Sequence, residues 1–205
     1  QRIRETDLPS PDTRLKLLTM AINLLTGAGY QYIGMDHFSK SDDGLAVAQR
    51  KGLLHRNFQG YSTHADCDLL ALGVSAIGNI GPTYSQNHRS IDDYYHTLDR
   101  GELPVMRGLE LSADDLLRRA VIGGLMCNFA LDKESFAIAY LIDFDKYFAP
   151  ELAELREMEQ LGMVELKPNE IRVTAKGRLL VRNICMLFDR YLRQDQERRR
   201  YSRVI

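Results

Sequence analysis

Phe58, Gln59 and Gly60 stand in a row inside the segment HRNFQGYSTHADCDLLALGVSAIGNIG, residues 55–81. Their types suit a loop laid over a nucleoside-containing ligand. Glycine lets the backbone come close, the amide pairs with a carboxylate, an amine or a base edge, and the phenyl ring covers a purine or a sugar. The same residues also suit a plain turn whose phenylalanine plugs the core. Ile77 follows in SAIGNIG beside Gly78. An isoleucine near the carboxyl end of a buried strand lines a cofactor pocket or simply packs in the interior. Asp36 and His37, in MDHFSK, fall where a strand leaves its sheet. In a parallel α/β sheet that end carries the ligands. His37 is therefore a candidate to bind or protonate a carboxylated substrate, with Asp36 orienting a partner. The alternative is an Asp–His pair that caps the following loop.

Metal chemistry has less to work with. Cys67, Cys127 and Cys185 are far apart and odd in number. They make a disulfide framework a poor reading and a reducing cytoplasm the default, and no CxxC or CxxxCxxC occurs. His64 and Cys67 form an H-x-x-C pair, two ligands short of a site. With 27 basic and 28 acidic residues the net charge is −1. Bulk charge thus makes no case for nucleic acid or an anionic membrane. No apolar run approaches the roughly 20 residues that cross a bilayer, and no secretory signal is visible. The chain starts at Gln1 without an initiator methionine and reads as a fragment or a processed product.

The elements that must hold these groups carry clear punctuation. LPSPDTRLKLLTMAINLLTGAGY reads as a helix, with Ser10 as N-cap, Pro11 in the first turn and Asp12 at the positive end. Leu15, Leu18, Ile22 and Leu25 form a stripe expected to be buried, and Gly27 and Gly29 stop the helix. YQYIGMDHF reads as a strand, making half of a β/α repeat. SDDGLAVAQRKGLLHRN is a short helix capped by Ser41 or Asp42. LLALGVSAIGNIG reads as a strand covered on both faces. SIDDYYHTLDRGELPV is a helix capped by Ser90 and stopped at Gly101, and RGLELSADDLLRRAVIGGLMCN holds another start at Ser112. A boundary falls near 100–110, where Gly101, Pro104 and Gly108 cluster.

The last third reads helix, Gly162 stop, strand, turn at Pro168–Asn169, strand and closing helix capped by Thr174, a winged-helix-like layout. Leu152, Leu155, Met158 and Leu161 stripe its first helix. From Arg172 onward ten basic residues stand against three acidic ones, which raises nucleic acid. A groove-reading helix needs a free basic face, however, and LLVRNICMLFDRYL looks built to pack.

Longer blocks narrow these readings. GYQYIGMDHFSKSDDGLAVAQRKGLLHRNFQGYST, DLLALGVSAIG, RVTAKGRLLVRNICMLFDRYLRQ and the terminal YSRVI, in this order, resemble the C-terminal part of the oxygen-independent coproporphyrinogen III oxidase (dehydrogenase) family, which are radical S-adenosylmethionine enzymes of haem biosynthesis. The resemblance covers essentially the whole chain. It implies a partial barrel of parallel strands that holds a [4Fe-4S] cluster on a CxxxCxxC loop, with S-adenosylmethionine on the fourth side. Reductive cleavage gives a 5′-deoxyadenosyl radical, which takes a hydrogen from the β-carbon of a propionate. Loss of carbon dioxide and one electron leaves a vinyl group, and two conversions turn coproporphyrinogen III into protoporphyrinogen IX. By the same resemblance Ile77 matches a position contacting S-adenosylmethionine. Phe58 and Gln59 match positions lining the cofactor cavity, where the family holds a second such molecule. His37, Arg56 and His55 are candidates to receive the propionates, which need cations or donors. No cysteine here matches a cluster ligand, so the chain alone is expected to bind no cluster and to be inactive.

The expectation is an α/β chain in two parts. Residues 1–105 form the C-terminal portion of a radical-SAM partial (β/α) barrel. Residues 106–205 form a mostly helical, winged-helix-like domain that covers the substrate cavity. Implied partners are coproporphyrinogen III and an external electron donor and acceptor, with neither nucleic acid nor membrane, in a cytoplasmic protein that is a monomer at full length. A winged-helix regulatory or nucleic-acid-binding module with an α/β companion is the alternative from another class. A haem chaperone of radical-SAM architecture is a third reading.

Overall fold

The computed structural model describes residues 3–65 and 67–194, so the basic tail lies outside it from Asp195 onward. Helix α1 (Pro11–Gly27) begins as expected, with the Ser10 hydroxyl accepting from the Thr13 amide and Asp12 in the first turn. Its apolar stripe is not buried. Leu15 is exposed, and Leu18, Ile22 and Leu25 are only half-buried, while Leu17, Met20 and Leu24 also face solvent. The main neighbour of α1 is the hairpin that follows it, too narrow to cover a helix of 17 residues.

That hairpin replaces the expected single strand. β1 (Tyr30–Gly34) and β2 (His37–Lys40) pair antiparallel about Met35–Asp36, with Met35 at φ 57°. Asp36 and His37 therefore lie at a hairpin turn, not at the exit of a parallel strand. Helix α2 (Gly44–Arg50) is capped by Asp43 instead of Ser41 or Asp42; its carboxylate accepts from the Leu45 amide at 2.8 Å. A second hairpin joins β3 (His55–Asn57) to β4 (Gly60–Ser62). Then β5 (Ile77–Ile80), β6 (Thr83–Asn87) and β7 (Val105–Glu110) form a sheet in that order. Helix α3 (Ile91–Asp99), capped by Ser90, links β6 to β7 and ends before Gly101 at φ 72°.

LLALGVSAIGNIG is thus not one strand covered on both faces. Only its end is β5; Leu69 makes an isolated bridge to Asn79, and Leu70 and Leu72 are exposed. Gly78 is needed for this approach, because a Cβ there would stand 3.0 Å from the Leu69 carbonyl oxygen. Every strand pair among the described residues is antiparallel, so the parallel strands expected for 1–105 are not found there. The turns explain it. Met35–Asp36, Phe58–Gln59 and Gly81–Pro82 return the chain within two residues, whereas a parallel return needs a long crossover.

Helix α4 (Ala113–Asn128) opens on a full capping box between Ser112 and Asp115. After it come β8 (Ala130–Asp132), α5 (Lys133–Tyr140), α6 (Phe144–Tyr147), α7 (Ala149–Gln160), β9 (Val164–Leu166) and β10 (Glu170–Val173). β10 pairs with both β8 and β9, the hairpin turns at Pro168–Asn169, and Gly162 stops α7 at φ 72°. Along the expected stripe of α7 Leu155 is fully buried, Leu152 and Met158 are half-buried and Leu161 is exposed. Thr174 caps α8 (Ala175–Arg178) as expected, but the closing helix is three short pieces, with α9 (Val181–Met186) and α10 (Arg190–Gln194) following.

Two cores result. The larger gathers Leu117, Val121, Leu125, Phe136, Phe148, Leu155, Ile171, Ile184 and Phe188 among others. The smaller holds Ile33, Ala46, Ala48, Leu54 and Cys127. Helix α4 serves both. Gln49 ties the smaller one together, its amide donating to the Ile33 carbonyl at 2.6 Å and to the Cys127 carbonyl at 2.9 Å.

Candidate functional site

The β3–β4 register pairs Asn57 with Gly60 and leaves Phe58 and Gln59 as the turn. The Gln59 backbone amide donates to Asn57 Oδ1 at 2.8 Å, which pins the turn locally. Its side chain stays exposed. Phe58 is no core plug: it is 52% exposed, and its ring meets Tyr84 of β6 edge-on at 5.1 Å.

Ile77 reaches the same place from another element. It lies opposite Gln86, which lies opposite Arg107, while Tyr84 lies opposite Asn79 and Leu109. Directly opposed residues, and residues two apart, share one face of a sheet. One face of β5–β6–β7 therefore carries Ile77, Asn79, Tyr84, Gln86, Arg107 and Leu109. Phe58 stands on that face through Tyr84, and Ile77 is half-buried in it.

His37 stands at the base of the Phe58–Gln59 turn. Its Nε2 is 3.7 Å from where a Cβ on Gly60 would be, and its ring meets Tyr61 edge-on at 5.0 Å. The Asp36 carboxylate is 2.8 Å from His37 Nδ1, but the two atoms make no hydrogen bond. Tyr61 Oη is buried without a hydrogen-bond partner among the described residues, and burial pushes its phenol well above the usual range. The Arg56 guanidinium lies 5.5 Å from the Tyr61 ring centre. His55 is exposed, on the opposite side of the hairpin from Arg56 and Tyr61. Phe58, Gln59, His37 and Arg56 thus surround one hairpin, Ile77 lies on the sheet face whose Tyr84 meets Phe58, and His55 stands apart.

Sequence reasoning missed Tyr84, Gln86, Arg107 and Arg119. The available signal is the alternation in TYSQN and in VMRGLE, both short strands set beside glycine and proline. Arg119 reaches the sheet from α4, its guanidinium 5.9 Å from the Tyr84 ring centre. The cysteines take no part. Cys127 and Cys185 are buried, burial pushing Cys127 up to about 12 and Cys185 higher, and Cys67 is exposed. Among the described residues no three His, Cys, Asp or Glu side chains converge as metal ligands.

Residues 111–180 match the HemN C-terminal domain family. Across all 205 residues the chain is 50% identical to the oxygen-independent coproporphyrinogen III oxidase of Escherichia coli (strain K12) and 51% identical to that of Pseudomonas aeruginosa. The chain is related to the oxygen-independent coproporphyrinogen III oxidases. It spans 45% of the length of the Escherichia coli protein and 44% of the Pseudomonas one. A solved structure of coproporphyrinogen III oxidase (HemN) from Escherichia coli, a radical SAM enzyme, superposes with a TM-score of 0.88 at 50% identity, over 93% of this chain and 44% of that one.

A radical SAM relationship implies S-adenosylmethionine and an iron–sulfur cluster for these oxidases, yet the described residues offer no group to bind a cluster. The relationship does not favour the nucleic-acid alternative. In the last third Arg172 is paired with Glu170 and Arg190 with Asp114, while Val181, Ile184 and Phe188 are buried in the core. No described helix is long and apolar enough to cross a membrane.

Proposed function

We propose that this chain is the C-terminal part of an enzyme that oxidatively decarboxylates two propionates of coproporphyrinogen III to vinyl groups, giving protoporphyrinogen IX. The observation that carries this reading is the 50% identity along all 205 residues to a relative named for that substrate. S-adenosylmethionine, when bound with the cluster, supplies the radical that removes hydrogen. The chain's own residues bind, orient and exclude water. Phe58 offers an exposed ring to cover the cofactor cavity and Gln59 an unspent amide to hold a polar edge. Ile77 makes the wall behind them apolar, which keeps water and stray hydrogen donors from a reactive carbon. His37 and Arg56 offer donors to propionates from the base of the same hairpin, with His55 a third donor on its other face.

The three cysteines do not fit the cluster, so its ligands belong to the part of the enzyme that matches the other half of the relatives. The 205 residues alone are inactive in this reading. Residues 1 to about 105 lean their antiparallel hairpins against a radical-SAM barrel, and the remainder is a winged-helix-like cover in which β9–β10 is the wing. The enzyme works in the cytoplasm as a monomer, with an external electron donor and acceptor and without nucleic acid or membrane.

The test is anaerobic turnover of the full-length enzyme. Gln59→Ala is expected to slow product formation about two- to tenfold, the weight of one hydrogen bond. Ile77→Asp, which puts a charge where the apolar side chain stood, is expected to cost well over about tenfold. Normal cofactor cleavage and product formation in both variants removes these residues from the site. A wild-type enzyme that leaves coproporphyrinogen III unchanged removes the function.

A further inference from the structure

The sheet face that carries Ile77 also carries a cluster of arginines without carboxylates. Arg107 Nε donates to Gln86 Oε1 at 2.9 Å, and Arg89 Nη2 donates to the same oxygen at 3.4 Å. Gln86 is held for this by its own amide, which donates to the Ser75 carbonyl at 3.1 Å. Arg119 Nη1 lies 3.5 Å from Tyr84 Oη. Among the described residues none of these three arginines makes an ion pair. Two guanidinium groups on one neutral amide oxygen repel each other, and that oxygen neutralises neither charge. Their outer N–H groups remain unspent, and a planar fork of this kind matches a carboxylate with two parallel hydrogen bonds.

The rest of the face is mostly apolar; its polar member, Asn79, spends its amide on the Gly81 and Thr83 carbonyls. Tyr84 and Ile77 are half-buried and Leu109 is 47% exposed. Three strands at about 4.8 Å spacing give a platform roughly 10 Å across between the outer strands, the scale of a tetrapyrrole. We propose that Arg107 and Arg119, with Arg89 braced through Gln86, anchor propionate carboxylates of a tetrapyrrole whose ring lies on the Ile77–Tyr84–Leu109 face beside the Phe58–Gln59 turn. The proposal rests on the function given above and assigns substrate-anchoring residues to it. His37 and Arg56 serve propionates nearer the hairpin, and the sheet arginines hold those on the far side of the ring.

The experiment uses the full-length enzyme and two fluorescent probes, coproporphyrin III and its tetramethyl ester, which share the macrocycle but differ in whether the propionates are ionisable. Arg107→Gln and Arg119→Gln are each expected to weaken binding of the tetracarboxylate about tenfold or more, the weight of a charge-assisted hydrogen bond, and the pair about 100-fold. Binding of the tetraester stays within about twofold, and Arg107→Lys recovers part of the lost affinity by restoring the charge. Because the side chains of Arg107 and Arg119 are exposed, the variants should keep the wild-type melting temperature. A wild-type enzyme that converts coproporphyrinogen III, with a double variant that binds the tetracarboxylate as tightly, overturns the anchoring and leaves the function standing. Equal loss of acid and ester also overturns it, since charge is then not what the arginines supply. A wild-type enzyme that neither converts nor binds either probe overturns both.

Discussion

Arg118, near the start of α4, and Arg119, its neighbour in sequence, live in opposite surroundings. Arg118 is mostly buried; it donates to Asp114 at 3.0 Å, to Glu151 at 2.8 Å and to the Phe188 carbonyl at 3.1 Å. Arg119 points the other way, toward a phenol on an open sheet. The same division runs through the molecule. Residues 111–190 close on a core in which Phe136, Phe144, Phe148 and Phe188 touch ring to ring. Residues 11–110 form narrow antiparallel sheets over a core of five buried residues, one of them lent by α4, and they leave one face of α1 uncovered. Every candidate for ligand contact lies in the second region or faces it. A region that spends its charges and apolar surface on itself has little left for a ligand, and the open region has both.

The largest effect expected from this contrast is on stability. Phe148→Ala removes a fully buried ring from the centre of the aromatic group and should cost about 3–5 kcal/mol. Leu24→Ala on α1 removes an exposed side chain and should shift stability by less than about 0.5 kcal/mol. Urea unfolding of both variants measures the gap, and equal losses would show that α1 is covered after all. Arg118→Ala comes next. It strands Glu151, whose side chain is 4% exposed, and uncompensated buried charge costs about 3 kcal/mol. Adding Glu151→Leu should restore part of that loss, because the cost lies in the orphaned charge. A double variant as unstable as the single would assign the loss to packing.

What was legible in the residues was local. Ser10, Ser90, Ser112 and Thr174 cap helices because their hydroxyls meet amides three residues on, a matter of spacing alone. Gly162 stops α7 because its positive φ suits glycine. The direction of strand pairing was not legible. Met35–Asp36 carries no glycine to announce a hairpin, so β1 and β2 read as one strand followed by a loop. β6 and β7 pair across α3, at a separation where short alternating runs give no sign of a partner. The buried stripe read for α1 was a correct helix face without a neighbour among the described residues to bury it. At the site, Phe58, Gln59 and Ile77 stood out by type, but what relates them is Tyr84, 26 residues from Phe58, which meets the Phe58 ring and shares a sheet face with Ile77, and the arginines arrive from β7 and α4.

Acid should separate the two regions by a smaller effect. Burial works against ionisation of Asp114, but hydrogen bonds from Tyr147 and Arg118 and the charges of Arg118 and Arg190 outweigh it, holding its carboxyl below the usual range. Asp115 is likewise held down, against its own burial, by Ser112, Tyr191 and Arg190. A carboxyl whose folded pKa is depressed contributes stability that is complete above the ordinary aspartate value, about 3.9, and is lost as pH falls through the folded value. Stability should therefore be level above about pH 5 and decline below about pH 4, by less than Phe148→Ala or Arg118→Ala costs. Asp114→Asn should flatten that decline, since the asparagine has no proton to gain. The sheet arginines pair with no carboxylate among the described residues, so Arg119→Gln should leave the slope as it is. Denaturant unfolding at pH 6, 4 and 3 for the wild type and the two variants reads this directly. If Arg119→Gln flattens the slope as much as Asp114→Asn does, the sheet face holds a carboxylate after all, and its arginines are not reserved for a ligand.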